Sequence, residues 1–195
     1  QQQREQPMEE PKEQPAAEVP TEAKPEEPPK PTETVAKKAE EPVEKTNNDK
    51  SSFQIEGSAV EKTVVLTLDD LKAMKDAYLE DDFFSLNSYG TKEYFSFKGA
   101  KLSAVLGLKK NAAIVKLVAS DGYEQEITIE QALKEDYIDE QNPDKRYPVI
   151  IAWHENGQDY DTAKGAPFRL VIGQKEPGDV NKPQWVQNVV KIIVD

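Results

Sequence analysis

The stretch VIIAWHENGQDYDTAKGAPFRLVIG, residues 149–173, decides the fold class. It opens with an unbroken apolar run and then reaches Asn156-Gly157, the strongest two-residue hairpin signal in the chain, since a type I′ turn needs positive φ at both central positions. A further extended run, FRLVI at residues 168–172, follows with no helical pattern between. Strands joined by tight turns pair antiparallel, whereas parallel pairing needs a longer crossover. The flanking sequence behaves alike. Phe53 and Ile55 read as a short strand, Gly57-Ser58 as a turn, and residues 64–66 as a second extended run. Thr67 with Asp69 and Asp70 starts a helix over residues 68–75, with Leu68, Leu71 and Met74 at helical spacing. FFSLNSYG (83–90) is extended and ends in Ser88-Tyr89-Gly90, TKEYFSFKG (91–99) alternates as a half-buried strand does, and residues 100–108 form a short helix closed by Gly107. AAIVKLVAS (112–120), the Asp121-Gly122 turn and YEQEITI (123–129) make another hairpin; a brief helix over 129–133, an acidic loop and a terminal VVKIIVD strand complete the chain. The expected fold is α+β: mixed, mostly antiparallel sheets of seven or eight strands with two or three short helices, and no βαβ sheet.

Outside this region the composition changes. Residues 1–50 contain no Phe, Tyr, Trp, Gly, Leu or Ile, yet hold nine of the 14 prolines. Such a segment cannot bury enough apolar surface to offset the entropy of ordering it, so residues 1–52 are expected to be a disordered Pro/Glu/Lys-rich tether and residues 53–195 a single globular domain. At about 3.1 Å per residue an extended tether of this kind spans on the order of 100 Å. It suits a spacer that joins the domain to a lipidated residue upstream, and the expected location is extracytoplasmic, with the membrane met only through that anchor.

Charge and residue inventory exclude several function classes. The first 50 residues carry 13 acidic and 8 basic side chains and the remainder 24 and 17, which makes both parts negative and the total −12. An acidic domain without a basic cluster repels phosphate backbones, so no nucleic-acid partner is expected. The chain has no cysteine, which removes disulfides, thiolate metal sites and thiol nucleophiles together. Its one histidine, His154, reads as a residue on a solvated strand face, and a single His without Cys cannot build a conventional zinc or haem pair. The carboxylates of residues 135–144 and the pair Asp159 and Asp161 match no EF-hand spacing and read as solvated loops.

Five segments, FQIEGSAVEKTVVLTLDDLKAM (53–74), FKGAKLSAVLGL (97–108), VKLVASDGYEQEITIEQAL (115–133), residues 149–173 and WVQNVVKIIV (185–194), resemble in their order the oxidoreductase molybdopterin-binding domain, the catalytic fold of the sulfite oxidase family. Gly57, Gly122, Gly157 and Gly165 stand at turn positions of that pattern, and Arg169 reads as the partner of a carboxylate at the sheet edge. The resemblance implies a molybdenum-binding cysteine thiolate at a strand end, closely followed by a glycine; here the matching position is Ser88, within Ser88-Tyr89-Gly90-Thr91. A serine hydroxyl is hard and neutral where a thiolate is soft and readily ionised. The resemblance also implies Arg, Lys and His side chains around a pterin phosphate, some just before the final tryptophan; here residues 179–185 offer Lys182 alone.

Two readings follow. In the first, the chain is a non-catalytic, envelope-tethered domain that binds a small ligand or a protein in the former cofactor cleft, with no cofactor; Ser88, Tyr89, Gly90, Tyr123, Lys182 and Trp185 are the candidate cleft residues. In the alternative, it is a molybdopterin-dependent oxidoreductase with an atypical metal ligand.

Overall fold

The computed structural model describes residues 51–107 and 111–195, and the expected tether over 1–52 lies almost wholly outside them. The chain divides into two units, Gln1–Pro42 and Val43–Asp195, and everything described belongs to the second.

Two sheets carry the domain. The first contains β1 (Ser52–Glu56), β2 (Val64–Thr67), β5 (Ile114–Ala119), β6 (Glu124–Thr128) and β12 (Val189–Val194), in the order β2-β1-β12-β5-β6. Its β1–β12 pair is parallel and joins the two ends of the domain; the other pairs are antiparallel. The second contains β3 (Tyr78–Leu86), β4 (Lys92–Lys101), β9 (Ile150–Glu155) and β10 (Gln158–Asp159), in the order β10-β9-β4-β3, and β11 (Arg169–Val171) also pairs with β9. A two-residue ladder joins β7 (Tyr137–Ile138) to β8 (Arg146–Tyr147). The apolar run that opens the sequence argument becomes β9, in the interior of its sheet: Ile150, Ile151, Ala152 and Trp153 are all buried. Asn156 and Gly157 have φ of 49° and 87°, the pair of positive values a type I′ turn requires.

Three helices lie between the strands: α1 (Leu68–Ala73), α2 (Leu102–Leu106) and α3 (Ile129–Leu133). Thr67 and Thr128 cap α1 and α3 by reciprocal capping boxes with Asp70 and Gln131, which is why Thr-x-x-Asp/Gln marks both starts. α1 stops two residues short of the expected Lys75, because Met74 leaves helical geometry and its carbonyl accepts the N–H groups of Ala77 and Tyr78, turning the chain into β3. None of the described helices is long and apolar enough to cross a membrane.

The sheets share one core. Phe53 of β1 meets Phe168, just before β11, edge to face at 5.0 Å between centroids, and Leu71, Phe97, Leu117 and Ile192 are buried around them. The twelve strands exceed the expected seven or eight chiefly because β7, β8 and β10 are only two residues long; β3 also starts at Tyr78, five residues before the FF pair that marked it. Glu80 and Asp82 of that early part face solvent at the sheet margin, so acidic residues that read as loop belong to a strand. Gly165 does not have a positive φ. What it requires is close approach: a Cβ there would lie 2.5 Å from Asn188 Oδ1.

Candidate functional site

The hairpin between β3 and β4 carries three of the six candidate residues. The last ladder pair is Leu86 with Lys92, and Asn87–Thr91 closes the turn. Asn87 organises it: its Oδ1 accepts the N–H of Tyr89 and of Thr91, its carbonyl accepts Gly90 N–H, and its own N–H donates to Thr91. Ser88, Tyr89 and Gly90 therefore form a tight, ordered tip, all exposed, with Tyr89 94% exposed. A Cβ added at Gly90 would meet nothing within 4 Å. Tyr123 stands on a different turn, between β5 and β6, half exposed, with its hydroxyl toward Gln125.

Lys182 and Trp185 do meet, in a sector built on the short 3-10 turn Lys182–Gln184. Asn181, fully buried, anchors that turn: its Nδ2 donates to the carbonyls of Phe84 (2.9 Å) and Ile172 (3.0 Å), and its Oδ1 accepts Leu86 N–H (2.8 Å). One carboxamide thus satisfies the outer edge of β3 and fixes the loop against it. Trp185 is buried and donates its indole N–H to Ile172 O at 2.8 Å. Phe95 of β4 and Phe97 stand edge-on to its ring at 5.7 and 5.3 Å. The Lys182 ammonium lies 3.2 Å from the centroid of Phe95 and 4.7 Å from that of Trp185, an aromatic seat for a cation. Burial pushes its pKa below the ordinary lysine value and the nearby Arg169 guanidinium pushes the same way, against Glu155 and Glu93.

Arg169 borders this sector, 5.5 Å from the Trp185 ring, and pairs with Glu155 of β9 at 2.6 Å. Both side chains are largely buried, 13% and 19% exposed, so the pair that the sequence suggests lies inside the domain surface rather than on a solvated edge. Tyr160 donates its hydroxyl to the same Glu155 carboxylate, and burial drives the phenol pKa upward. Arg169 Nε is the one buried side-chain nitrogen or oxygen among the described residues without a hydrogen-bond partner. Two cations, Lys182 and Arg169, are thus held together beside Glu155, with Glu93 also acting on Lys182.

Other charged groups depart from expectation. His154 is not on an open strand face: its side chain is 15% exposed, and Nδ1 lies 2.6 Å from Asp159, which also meets Lys72 at 3.1 Å. The acidic loop is only partly solvated. Asp139 is fully buried, accepting O–H groups from Tyr94 and Tyr147 and N–H groups from Gln141 and Asn142. Desolvation, with help from Asp139, pushes the Tyr94 pKa up to about 12. Glu140, its side chain one-tenth exposed, takes Lys92 at 2.6 Å and the N–H of Gly178; these partners hold its carboxyl below the usual carboxylate range.

The pterin–molybdenum cofactor implied by the family pattern can be tested against these groups. In the family pattern its metal takes a cysteine thiolate, a soft anionic ligand. The chain has no thiolate to offer, and the matching serine sits on a solvent-facing hairpin tip. Among the described residues no three His, Cys, Asp or Glu side chains converge as a metal site. The residues present do not fit the metal-bearing cofactor, although Arg169 and Lys182 suit an anion.

A family model described as the oxidoreductase molybdopterin binding domain matches residues 40–191. Among solved structures, the sulfane dehydrogenase SoxCD from Paracoccus pantotrophus is similar with a TM-score of 0.53 at 20% sequence identity, over 78% of this chain and 39% of that one. The likeness supports the sulfite-oxidase-like fold, and the chain spans about two fifths of that relative's length. No curated protein matches.

Proposed function

The chain belongs to the oxidoreductase molybdopterin-binding domain family, and we propose that within it this chain is a non-catalytic domain that binds a small ligand or a protein partner, held outside the cytoplasm by its N-terminal tether. One observation carries the reading. The chain has no cysteine, and Ser88, which we read as the counterpart of the family's thiolate, stands on the exposed β3–β4 tip, where a thiolate ligand and an enclosure for it are both lacking. Binding capacity is retained nearby, where Lys182 and Arg169 border a buried tryptophan and one guanidinium nitrogen has no partner. An unsatisfied buried donor beside a desolvated ammonium costs stability, and a ligand or partner supplying an acceptor would recover it.

The tether supports the rest. A Pro/Glu/Lys-rich segment with no aromatic residue is a spacer, and a spacer is useful when one end is fixed to an envelope surface. A precursor without a signal sequence and lipid-attachment cysteine upstream of Gln1 would remove the anchor from this account.

The test is purification from a host that makes the pterin–molybdenum cofactor, followed by metal analysis and pterin fluorescence of the native protein. The proposal expects substoichiometric molybdenum and no released pterin. One molybdenum per chain with released pterin would overturn it in favour of an oxidoreductase with an atypical ligand.

A further inference from the structure

A second concavity, of about 500 Å³, opens between the β9–β10 hairpin and the loop that precedes β11. Its volume falls within the range of about 300–1,000 Å³ common for small-molecule sites. We propose that this cleft binds a neutral, polyhydroxylated ligand, a saccharide unit, through the carboxamides of Gln158, Gln187 and Asn188. The inference rests on reading the domain as a binding module and adds the ligand class.

Charge is the first argument. Three carboxylates line the cleft, and each already has a cation within the molecule: Glu155 has Arg169 at 2.6 Å, Asp159 has Lys72 at 3.1 Å, and Asp161 has Lys164 at 3.8 Å. Little uncompensated charge is left to select a cationic or an anionic ligand. Polar and nonpolar groups line the cleft in similar measure, Ala166 and Tyr160 among them, so it is not built for a purely apolar ligand.

Hydrogen-bonding capacity is the second. The side chains of Gln158, Gln187 and Asn188 make no hydrogen bond among the described residues, while all three border the cleft. A carboxamide presents two N–H donors beside a carbonyl acceptor. Neighbouring hydroxyls on a sugar ring, each both donor and acceptor, are its natural complement.

Backbone geometry is the third. Asn156 and Asn188 are the only non-glycine residues with positive φ among those described, at 49° and 57°, and both line this cleft. Asn156 is explained by its hairpin turn. Asn188 is not in such a turn, and its carboxamide lies over Gly165, where any Cβ would collide with it. A left-handed asparagine seated on a glycine is a local arrangement that fixes a side chain's direction, as strained residues at binding sites often do.

The test uses the full chain labelled with ¹⁵N and titrated to about 20 mM, a range that detects millimolar dissociation constants. The probes are cellobiose, maltose and N,N′-diacetylchitobiose, with N-acetylalanine methylamide as a neutral peptide probe and methylammonium and acetate as charged controls. The proposal expects saturable shifts of the side-chain NH2 signals of Gln158, Gln187 and Asn188 with at least one disaccharide. Gln158→Ala and Gln187→Ala, both at exposed positions that leave folding intact, should each weaken that binding by about tenfold, the loss of one good hydrogen bond. No saturable shift with any of the three disaccharides, a stronger response to the peptide probe or the ions, or undiminished binding by the double variant would overturn it. These failures leave the metal and pterin result untouched, so the ligand class can fall while the non-catalytic reading stands.

Discussion

The β3–β4 hairpin tip and the Lys182–Trp185 sector lie at opposite extremes of contact, although the resemblance assigned both to one cleft. At the tip, every hydrogen bond given to Asn87–Thr91 stays within the turn, and the side chains of Ser88 and Tyr89 project into water. In the sector, the side-chain polar atoms of Asn181 and Trp185 are all bonded to the backbone of β3 and of Ile172, and two cations rest against the buried Trp185 ring. The difference teaches where binding can be held: a partner meeting the sector finds groups already oriented and desolvated, whereas one meeting the tip finds a single freely hydrated phenol.

Substitutions can break or sharpen this contrast. The largest effect is expected from Trp185→Ala, which removes a buried indole, its contacts with Phe95 and Phe97, and its hydrogen bond to Ile172; a loss of about 4 kcal/mol is expected in urea denaturation. Less than about 1 kcal/mol would mean that the sector is loosely packed. Next comes Asn181→Ala. It orphans Leu86 N–H and takes a donor from the Phe84 and Ile172 carbonyls, of which Ile172 keeps the Trp185 indole N–H, and should lower stability by about 2 kcal/mol, with faster hydrogen exchange at Leu86 as the local signature.

A smaller effect appears only in acid. Lys92, Gly178 N–H and Gln174 depress the Glu140 carboxyl, so its contribution is present above the unfolded carboxylate value of about 4.3 and is lost as pH falls through the lower folded value. Stability measured against pH should decline in that window, and Glu140→Gln should flatten the decline. An unchanged acid limb would show that the contact carries no linkage. Smallest of all is Tyr89→Ala, expected to shift the unfolding midpoint by no more than about 0.5 kcal/mol, because the ring touches nothing. A loss above 1 kcal/mol would mean that the tip packs against something and that the two regions are not so different.

Local signals carried most of the fold. Asn156-Gly157 gave the hairpin, the short helix expected over 129–133 is α3, and the buried run at 149–153 gave the strand through the second sheet, because each depends on residues within a few positions of one another. The site was legible only in part. Lys182 and Trp185 were named from their place near the last strand and lie in contact, and Arg169 was named with an ion pair that it makes to Glu155. Asn181, Glu155, Tyr160 and the buried Asp139 were missed, because whether a polar loop residue is buried depends on strands far away in sequence. Asn181 bonds to Phe84, 97 residues earlier. Ser88-Tyr89-Gly90 shows the same limit: motif order gives a residue's place along the chain, while only the Leu86–Lys92 register shows that the segment is a hairpin tip.

The central proposal is that this domain holds no molybdenum, for want of an enclosed site at Ser88 as well as of a thiolate. Ser88→Cys, expressed in cells that make the pterin–molybdenum cofactor and analysed for metal by mass spectrometry, tests it most directly. The account predicts that the restored thiol, exposed on its hairpin tip, leaves molybdenum far below one atom per chain; stoichiometric molybdenum in that variant would contradict it.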